Sequence, residues 1–164
     1  MKKISIITTT YNHQNFIKKT IDSVVDQSYQ NRELLIGDDS PDEETWNIIQ
    51  TYIEKYPEKI KAWHHVPNKW IVENTNFLLS QISQNSDYIA FLEGDDLYTA
   101  DNLEKKITIM EQYPNVAIVY NDLSFIDSDD NIILPSFFRY RKIPYYQNKI
   151  VPVEKYILAT AGPI

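Results

Sequence analysis

The sequence predicts an α/β fold in which a mostly parallel, Rossmann-like sheet carries helices on both faces. Short apolar runs alternate with amphipathic segments as far as Tyr120, which is the order that right-handed β-α-β crossovers produce. The 164 residues, 43% hydrophobic and 24% charged, have the size and composition of one globular domain. Polar residues follow four of the apolar runs, at the strand ends where parallel sheets bind ligands.

The first half of the chain contains two strand and helix pairs. A β-branched run predicts a strand over Lys3–Thr9, and apolar residues on one helical face predict a helix over Asn15–Gln27. The run Glu33–Gly37 predicts the second strand. Turn residues and acidic residues then precede a predicted helix over Glu44–Tyr56.

The same alternation continues to Tyr120. Strands are predicted over Ile60–His65, Tyr88–Leu92 and Val116–Tyr120, with helices over Glu73–Gln84 and Ala100–Tyr113 between them. The region after Tyr120 therefore lies beyond the alternating part of the fold.

A β-hairpin is predicted after the alternating part. Leu123–Ile126 and Ile132–Leu134 flank the turn residues Asp127–Asn131. The turn resembles a calcium loop in composition only, because it lacks the glycine and the final glutamate. The aromatic and basic segment Pro135–Tyr146 is predicted to be a loop.

Composition excludes several classes of function. Cysteine is absent, so disulfides, thiolate metal sites and cysteine nucleophiles are excluded, and a cytoplasmic location is expected. A net charge of −7 argues against nucleic acid as a partner. No apolar run approaches the ~18 residues of a membrane span. With only three glycines, the chain contains no glycine-rich phosphate loop.

The sharpest chemical feature is the acidic turn, Glu93-Gly94-Asp95-Asp96, which directly follows the most apolar strand. Carboxylates placed together repel one another, and a hard divalent cation such as Mg²⁺ or Mn²⁺ would relieve that repulsion and could hold a diphosphate. The alternative is that the aspartates cap the next helix.

A second polar cluster follows the second predicted strand. Either aspartate of Asp38-Asp39-Ser40 could accept hydrogen bonds from a nucleobase or a ribose, and the alternative is an ordinary Asx turn or helix cap. Thr8–Asn12 offers hydroxyls and one aromatic ring. The three histidines (His13, His64 and His65) have no metal-binding spacing and are predicted to be ordinary packed or surface residues.

Four ordered blocks resemble the successive motifs of the family 2 glycosyltransferases. They are Ile4–Asn12, Ile21–Tyr29, Glu33–Ser40 and Tyr88–Asp96. The resemblance implies a GT-A fold, a nucleoside diphosphate sugar donor, and inversion at the anomeric carbon by direct displacement. It also implies an acceptor that is a saccharide or a lipid-linked molecule, polysaccharide biosynthesis as the setting, and a location in the cytoplasm at the inner face of the membrane.

The resemblance also implies roles for six residues. Thr9 and Tyr11 would line the nucleobase pocket with Tyr11 stacking on the ring, and Asp39 would accept from the base imide. In the acidic turn, Asp95 would lie near the ribose and contribute to the metal site. Asp96 would bind the Mn²⁺ or Mg²⁺ on the diphosphate, and Glu93, which stands where the family more often has aspartate, would also belong to the metal site.

Two departures from the family pattern affect the expected organisation. Trp70 stands where the family commonly has the glycine of Asn-x-Gly, with Asn74 and Asn76 downstream. The family takes its general base from the acceptor-binding half, and no residue here is assigned that role. The chain is therefore expected to be one truncated GT-A domain, with a donor-nucleotide half at 1–122 and the start of an acceptor half at 123–164.

Two other functions fit an α/β fold with an acidic cluster. A nucleotidyltransferase normally has a glycine-rich, basic loop after its first strand, and Thr8–His13 is neither. A non-catalytic, Mg²⁺-binding module of the receiver type needs its acidic pair after the first strand, whereas the pair here follows the second. The glycosyltransferase is the leading hypothesis.

Overall fold

A computed structural model describes residues 1–143 of the chain. The helices and strands are β1 (Ile4–Thr10), α1 (Ile17–Val25), β2 (Arg32–Asp38), α2 (Glu44–Lys55), β3 (Ile60–His64), α3 (Trp70–Ser80), β4 (Tyr88–Phe91), α4 (Asn102–Gln112), β5 (Phe125–Ile126), β6 (Ile132–Leu134) and α5 (Phe137–Tyr140). The chain divides into two compact units, Met1–Lys105 and Lys106–Ile164. Among the described residues, no helix is long and apolar enough to cross a membrane.

The first unit is built on a four-stranded parallel sheet with strand order β3-β2-β1-β4. β1 and β2 are central and buried along their whole length, as expected for strands covered on both faces. Their register pairs Ile4 with Arg32 and Thr10 with Asp38. Because β1 lies between β2 and β4, the segments that follow these three strands meet at one edge of the sheet.

The two faces of the sheet carry different helices. Ile7 of β1 and Leu35 of β2 pack with Leu78 of α3 on one face. On the other face Val24 of α1 lines a small cavity with Leu34. Strand residues alternate between faces, so the fully buried strands supply a core to each layer. The predicted α/β architecture is confirmed.

Gly37 of β2 allows α3 to lie close to the sheet. A Cβ atom there would lie 1.9 Å from the Oδ1 of Asn74, and the Asn74 side chain donates from Nδ2 to the Gly37 carbonyl at 2.9 Å. Asn74 is almost completely buried. This contact fixes the N-terminal half of α3 over the carboxyl end of β2.

One predicted strand is absent from the described residues, and one predicted helix begins at an earlier residue. Val116–Tyr120 forms no strand in the structure, and Ile118 is 60% exposed; within residues 1–143 no strand pairs with this segment, and strand propensity without a neighbouring strand is insufficient. α3 begins at Trp70 instead of Glu73, because the Asn68 Oδ1 accepts a hydrogen bond from the Trp70 backbone N–H at 2.6 Å.

The described residues of the second unit include the predicted hairpin and the short helix α5. β5 and β6 pair antiparallel. Within the segment predicted as a loop, α5 forms because the Ser136 hydroxyl oxygen accepts from the Arg139 N–H at 3.1 Å, a typical N-cap. The Asp122 carboxylate accepts from the Phe138 N–H at 3.0 Å. The rest of that predicted loop, 144–146, lies outside the described residues.

A buried carboxylate stabilises the amino ends of the strands, at the edge opposite the polar clusters. Burial alone would raise the pKa of Glu33, but hydrogen bonds from Ser5, Ser83 and Lys3 outweigh it and lower the pKa to about 2. The distances are 2.6 Å from the Ser5 hydroxyl, 2.6 Å from the Ser83 hydroxyl and 2.9 Å from the Lys3 Nζ. The ionised form is therefore favoured in the folded state.

We expect this network to make the fold sensitive to acid. A depressed folded-state pKa contributes stability that is present above the unfolded value near 4.5 and is lost as the pH falls toward about 2. The full contribution is roughly 3 kcal/mol, of which about 2 kcal/mol is lost by pH 3. We expect the free energy of unfolding, measured with urea, to fall between pH 7 and pH 3 by about 2 kcal/mol less in Glu33→Gln than in the wild type. Glu58→Gln, at an exposed position, should behave as the wild type, and equal drops in all three proteins would contradict the assignment.

Candidate functional site

The carboxyl ends of β2, β1 and β4 bring the predicted site residues to one edge of the sheet. The Asp39 N–H donates to the Thr10 carbonyl at 2.9 Å, and the Gly94 N–H donates to the Thr9 carbonyl at 3.0 Å. The segment after β1 therefore joins the segment after β2 on one side and the acidic turn on the other. Backbone hydrogen bonds fix this arrangement.

The acidic turn is held by side chains as well as by the backbone. The Thr9 hydroxyl donates to the Glu93 Oε2 at 2.7 Å, and the Thr20 hydroxyl donates to the Gly94 carbonyl at 2.9 Å. Glu93 is thus engaged with Thr9, the residue predicted to line the nucleobase pocket. The turn leaves Asp95 and Asp96 on the exposed side.

Gly94 occupies a position with no room for a side chain. A Cβ atom at Gly94 would lie 2.7 Å from the Thr10 Cβ and Oγ1, and 2.8 Å from the His13 Nδ1. The Thr10 Oγ1 and the His13 Nδ1 are both buried without a hydrogen-bond partner. Since buried polar atoms are normally satisfied, these two atoms mark a polar environment directly behind the acidic turn.

The carboxylates of the acidic turn affect one another electrostatically. Partial desolvation raises the pKa of Asp96, and the charges of Asp95 and Glu93 raise it further, while His13 acts in the opposite direction. A bound cation would remove this repulsion. Within residues 1–143, however, no group of three His, Asp or Glu residues is arranged as a preformed metal site.

The residues present nevertheless fit a divalent cation of the Mg²⁺ or Mn²⁺ type. Mg²⁺ bound at a diphosphate usually has one or two carboxylate ligands, and phosphate and water oxygens complete its coordination. The exposed Asp95 and Asp96, with the two unpartnered polar atoms behind them, match that requirement without a third protein carboxylate. A cation would stabilise the ionised Asp96 side chain, because the neighbouring carboxylates raise the pKa of its carboxyl group.

The other side of the site contains Asp39 and Tyr11. Asp39 is buried, and its Oδ1 accepts a hydrogen bond from the Lys69 backbone N–H at 3.1 Å. Tyr11 follows β1 directly and is 49% exposed. Asn12 has a positive φ of 55°, and its N–H donates to the Ser40 hydroxyl at 2.9 Å. These contacts hold an exposed aromatic ring beside a buried carboxylate.

Asp38 and Asp39 have different roles although they are adjacent. The Asp38 Oδ1 accepts from the Ser40 N–H at 3.1 Å, which is an Asx turn. Burial raises the pKa of Asp38, opposed by hydrogen bonds from Ser40. Asp38 is therefore structural, and Asp39 is the member of the pair that faces the loop before α3.

A cavity of about 300 Å³ is lined by His64–Lys69 and Glu73. It lies in the loop between β3 and α3, at the carboxyl end of β3. The Asn74 contact with Gly37 sets the position of α3 and hence of this loop. Lys69 therefore lines the cavity and also contacts Asp39 through its backbone amide.

The structure brings together the residues expected from the sequence and adds two more. Thr9, Tyr11 and Asp39 lie along the end of β1 and β2, and the acidic turn with Glu93, Asp95 and Asp96 is hydrogen bonded to Thr9. Sequence reasoning treated His13 as ordinary, and it missed Lys69. Neither residue has a motif of its own, since His13 acts through packing and Lys69 through its backbone amide.

Comparisons with known proteins identify the family of the chain. The model of the family described as Glycosyl transferase family 2 matches residues 5–160. The putative glycosyltransferase EpsE of Bacillus subtilis is 32% identical over 125 residues, covering 76% of this chain and 44% of EpsE. The Escherichia coli enzyme WfgD, a UDP-Glc:alpha-D-GlcNAc-diphosphoundecaprenol beta-1,3-glucosyltransferase, is 32% identical over 148 residues, covering 90% of this chain and 54% of WfgD. The chain spans about half the length of these curated relatives.

Solved structures share the fold at lower sequence identity. S. aureus TarS 1-349 in complex with UDP matches with a TM-score of 0.61 at 20% identity, covering 84% of this chain and 44% of that one. The mannosyltransferase PcManGT of Pyrobaculum calidifontis, in complex with GDP-Man and Mn²⁺, matches with a TM-score of 0.58 at 16% identity, covering 71% of this chain and 33% of that one. The fold is GT-A-like, and with the family model spanning nearly the whole sequence, the chain belongs to glycosyl transferase family 2.

Proposed function

We propose that this chain binds the donor in a metal-dependent glycosyltransferase, which transfers a sugar from a nucleoside diphosphate sugar to an acceptor hydroxyl with inversion. The observation that carries the proposal is the hydrogen bond from the Thr9 hydroxyl to Glu93 at 2.7 Å. It joins the nucleobase side of the site to the acidic turn, so that one nucleoside diphosphate would span both.

Each end of the site suits a different part of the donor. Tyr11 offers an exposed ring on which a base can stack, and Asp39 offers a carboxylate that can accept from the base imide. Asp95 would lie near the ribose. Asp96, assisted by Asp95 and Glu93, would hold the cation. When bound, Mn²⁺ or Mg²⁺ would offset the negative charge of the leaving diphosphate.

The relatives support the class of donor and acceptor. TarS was solved with UDP and with UDP-GlcNAc, and PcManGT with GDP-Man and Mn²⁺. WfgD uses UDP-Glc and a diphosphoundecaprenol-linked acceptor. By analogy we propose a hexosyltransferase that acts on a saccharide or lipid-linked acceptor in polysaccharide biosynthesis, in the cytoplasm at the inner face of the membrane.

We propose that donor and acceptor binding are assigned to different parts of the chain, as in the family pattern. The donor-nucleotide half is placed at 1–122 and the start of the acceptor half at 123–164. The general base that deprotonates the acceptor hydroxyl is assigned to the acceptor half, and no residue of this chain is named for it. Nucleotide binding is therefore the property that tests the proposal.

The test is a thermal-shift screen of UDP, GDP, CDP and dTDP and their sugars, each with and without Mn²⁺. A ligand at 100 times its Kd stabilises the fold by about 2.7 kcal/mol. For a chain of this size that is a shift of roughly 5 to 10 °C. We expect the nucleotides of one base to raise the transition temperature by this amount, and to raise it more with Mn²⁺ than without it. If no nucleotide shifts the transition under either condition, the proposed function is wrong.

A further inference from the structure

Trp70 is the most unusual residue beside the proposed nucleobase site. It begins α3 with a φ of 64°, a left-handed conformation that favours glycine and strains a bulky residue. Its side chain is nonetheless 76% exposed, so it gains little from packing to offset that strain. In the family pattern described above this position is commonly glycine, and the strained tryptophan therefore needs an explanation other than core packing.

The backbone fixes where Trp70 lies relative to Asp39. The Lys69 N–H donates to the Asp39 Oδ1 at 3.1 Å, and the Trp70 N–H donates to the Asn68 Oδ1 at 2.6 Å. The residue that bears the indole is thus next in sequence to a residue bonded to Asp39. One turn further along α3, Asn74 is bonded to Gly37 of β2, which holds this end of the helix over the strand ends.

A second exposed ring belongs to the residue that follows another partner of Asp39. The Asp39 N–H is bonded to the Thr10 carbonyl, and the next residue, Tyr11, is half exposed. Tyr11 and Trp70 therefore each follow a residue that is hydrogen bonded to Asp39. The two other tryptophans are packed against rings of the fold: Trp46 stacks on His64 with centroids 5.5 Å apart, and Trp63 meets Phe77 edge-on at 5.3 Å.

We propose that Trp70 is a specificity-determining residue that gives the donor nucleobase a second aromatic face, opposite Tyr11. The inference rests on the proposed function, because it needs a nucleotide at Asp39. The base would stack on the indole while Asp39 accepts from its edge. Stacking on an aromatic side chain strengthens nucleotide binding by roughly 5- to 100-fold per base, and the anchored backbone of Lys69 and Trp70 keeps the ordering cost low.

The experiment measures Mn²⁺-dependent UDP binding to the wild type, Trp70→Phe and Trp70→Gly by calorimetry and by tryptophan fluorescence. Trp70→Gly suits the positive φ, so it is expected to fold at least as stably as the wild type. We expect UDP to quench the wild-type emission and to leave the emission of Trp70→Phe almost unchanged. Affinity should fall at least fivefold in Trp70→Gly and less than threefold in Trp70→Phe, which keeps a ring.

Three controls separate the possible outcomes. Inorganic pyrophosphate with Mn²⁺ should bind all three proteins equally, since it has no base. Val72→Ala, which removes a neighbouring exposed apolar side chain, should bind UDP as the wild type does. The third control adds vesicles of phosphatidylcholine and phosphatidylglycerol, which should leave the emission of Trp70 unchanged.

The inference can fail while the proposed function stands. If UDP binds the wild type and Trp70→Gly equally well, or binds without quenching, Trp70 has no role in base recognition. If vesicles shift the Trp70 emission to the blue and UDP does not quench it, Trp70 contacts lipid instead. If pyrophosphate and every nucleotide, with Mn²⁺ present, leave the wild type unbound, the proposed function itself is wrong and this inference is wrong with it.

Discussion

Replacing Asp96 with asparagine is expected to lower the Mn²⁺-dependent affinity for UDP, or for the nucleotide preferred in the screen, by at least about 100-fold. Loss of groups that only support a metal ligand already costs 10- to 100-fold in metal affinity, and this change removes a carboxylate proposed to contact the ion. Asparagine keeps the shape of the side chain, so the effect reports charge. Titration calorimetry with and without Mn²⁺ measures it.

The same titration without Mn²⁺ tests whether the carboxylate of Asp96 acts through the metal. Because Asp95 and Glu93 raise the pKa of Asp96, the three carboxylates repel one another and would also repel a diphosphate. Asp96→Asn should therefore bind the nucleotide without Mn²⁺ at least as well as the wild type does. Asp101→Asn is the matched control, because the Asp101 side chain is half-exposed and pairs with Lys105. An unchanged Mn²⁺ dependence in Asp96→Asn would remove the acidic turn from the metal site.

Gly94→Ala is expected to destabilise the fold by about 3 kcal/mol, at the upper end of the usual cost of overpacking. The added methyl group would lie 2.7 Å from the Thr10 Cβ, which is fixed to the backbone of a buried strand and cannot rotate away. Urea unfolding should show the loss, and the thermal transition should fall by roughly 10 °C. The Mn²⁺ dependence of nucleotide binding should weaken as well, because the turn must move.

Asp95→Ala separates the two effects of the Gly94 change. Asp95 is exposed, so its truncation should alter stability by less than about 0.5 kcal/mol while still weakening nucleotide binding. If Gly94→Ala unfolds at the same urea concentration as the wild type, the turn has room that the structure does not show. The explanation for glycine at this position would then be wrong.

The sequence predicted best the parts of the fold that are buried on two faces. β1 and β2 are apolar runs in a parallel sheet, and their bounds were predicted to within one or two residues. Val116–Tyr120 has a similar composition but forms no strand, because strand formation also depends on a partner strand, which composition does not specify. The start of α3 differed from its prediction for a local reason, which is the hydrogen bond from the Trp70 N–H to the Asn68 side chain.

The sequence predicted where the candidate site lies, but it did not predict all of the contacts within the site. Parallel strands direct their carboxyl ends to one edge, which is why Tyr11, Asp39 and Glu93 could be expected together. The contact of the Lys69 backbone amide with Asp39 could not, since any residue type can donate from its backbone. His13 was also not predictable, because its position behind Gly94 depends on the packing of the segment between β1 and α1.

The most direct test of the proposed site is paramagnetic broadening by Mn²⁺ of the amide signals of the ¹⁵N-labelled chain, in the presence of the preferred nucleoside diphosphate. Substoichiometric Mn²⁺ should broaden the signals of Gly94, Asp95 and Asp96 first, followed by those of Thr10 and His13, which lie directly behind the turn. The signals of Ser5 and Glu33, at the opposite edge of the sheet, should broaden last. Broadening centred on Asp127–Asn131, or none at Glu93–Asp96, would contradict a donor site built on the acidic turn.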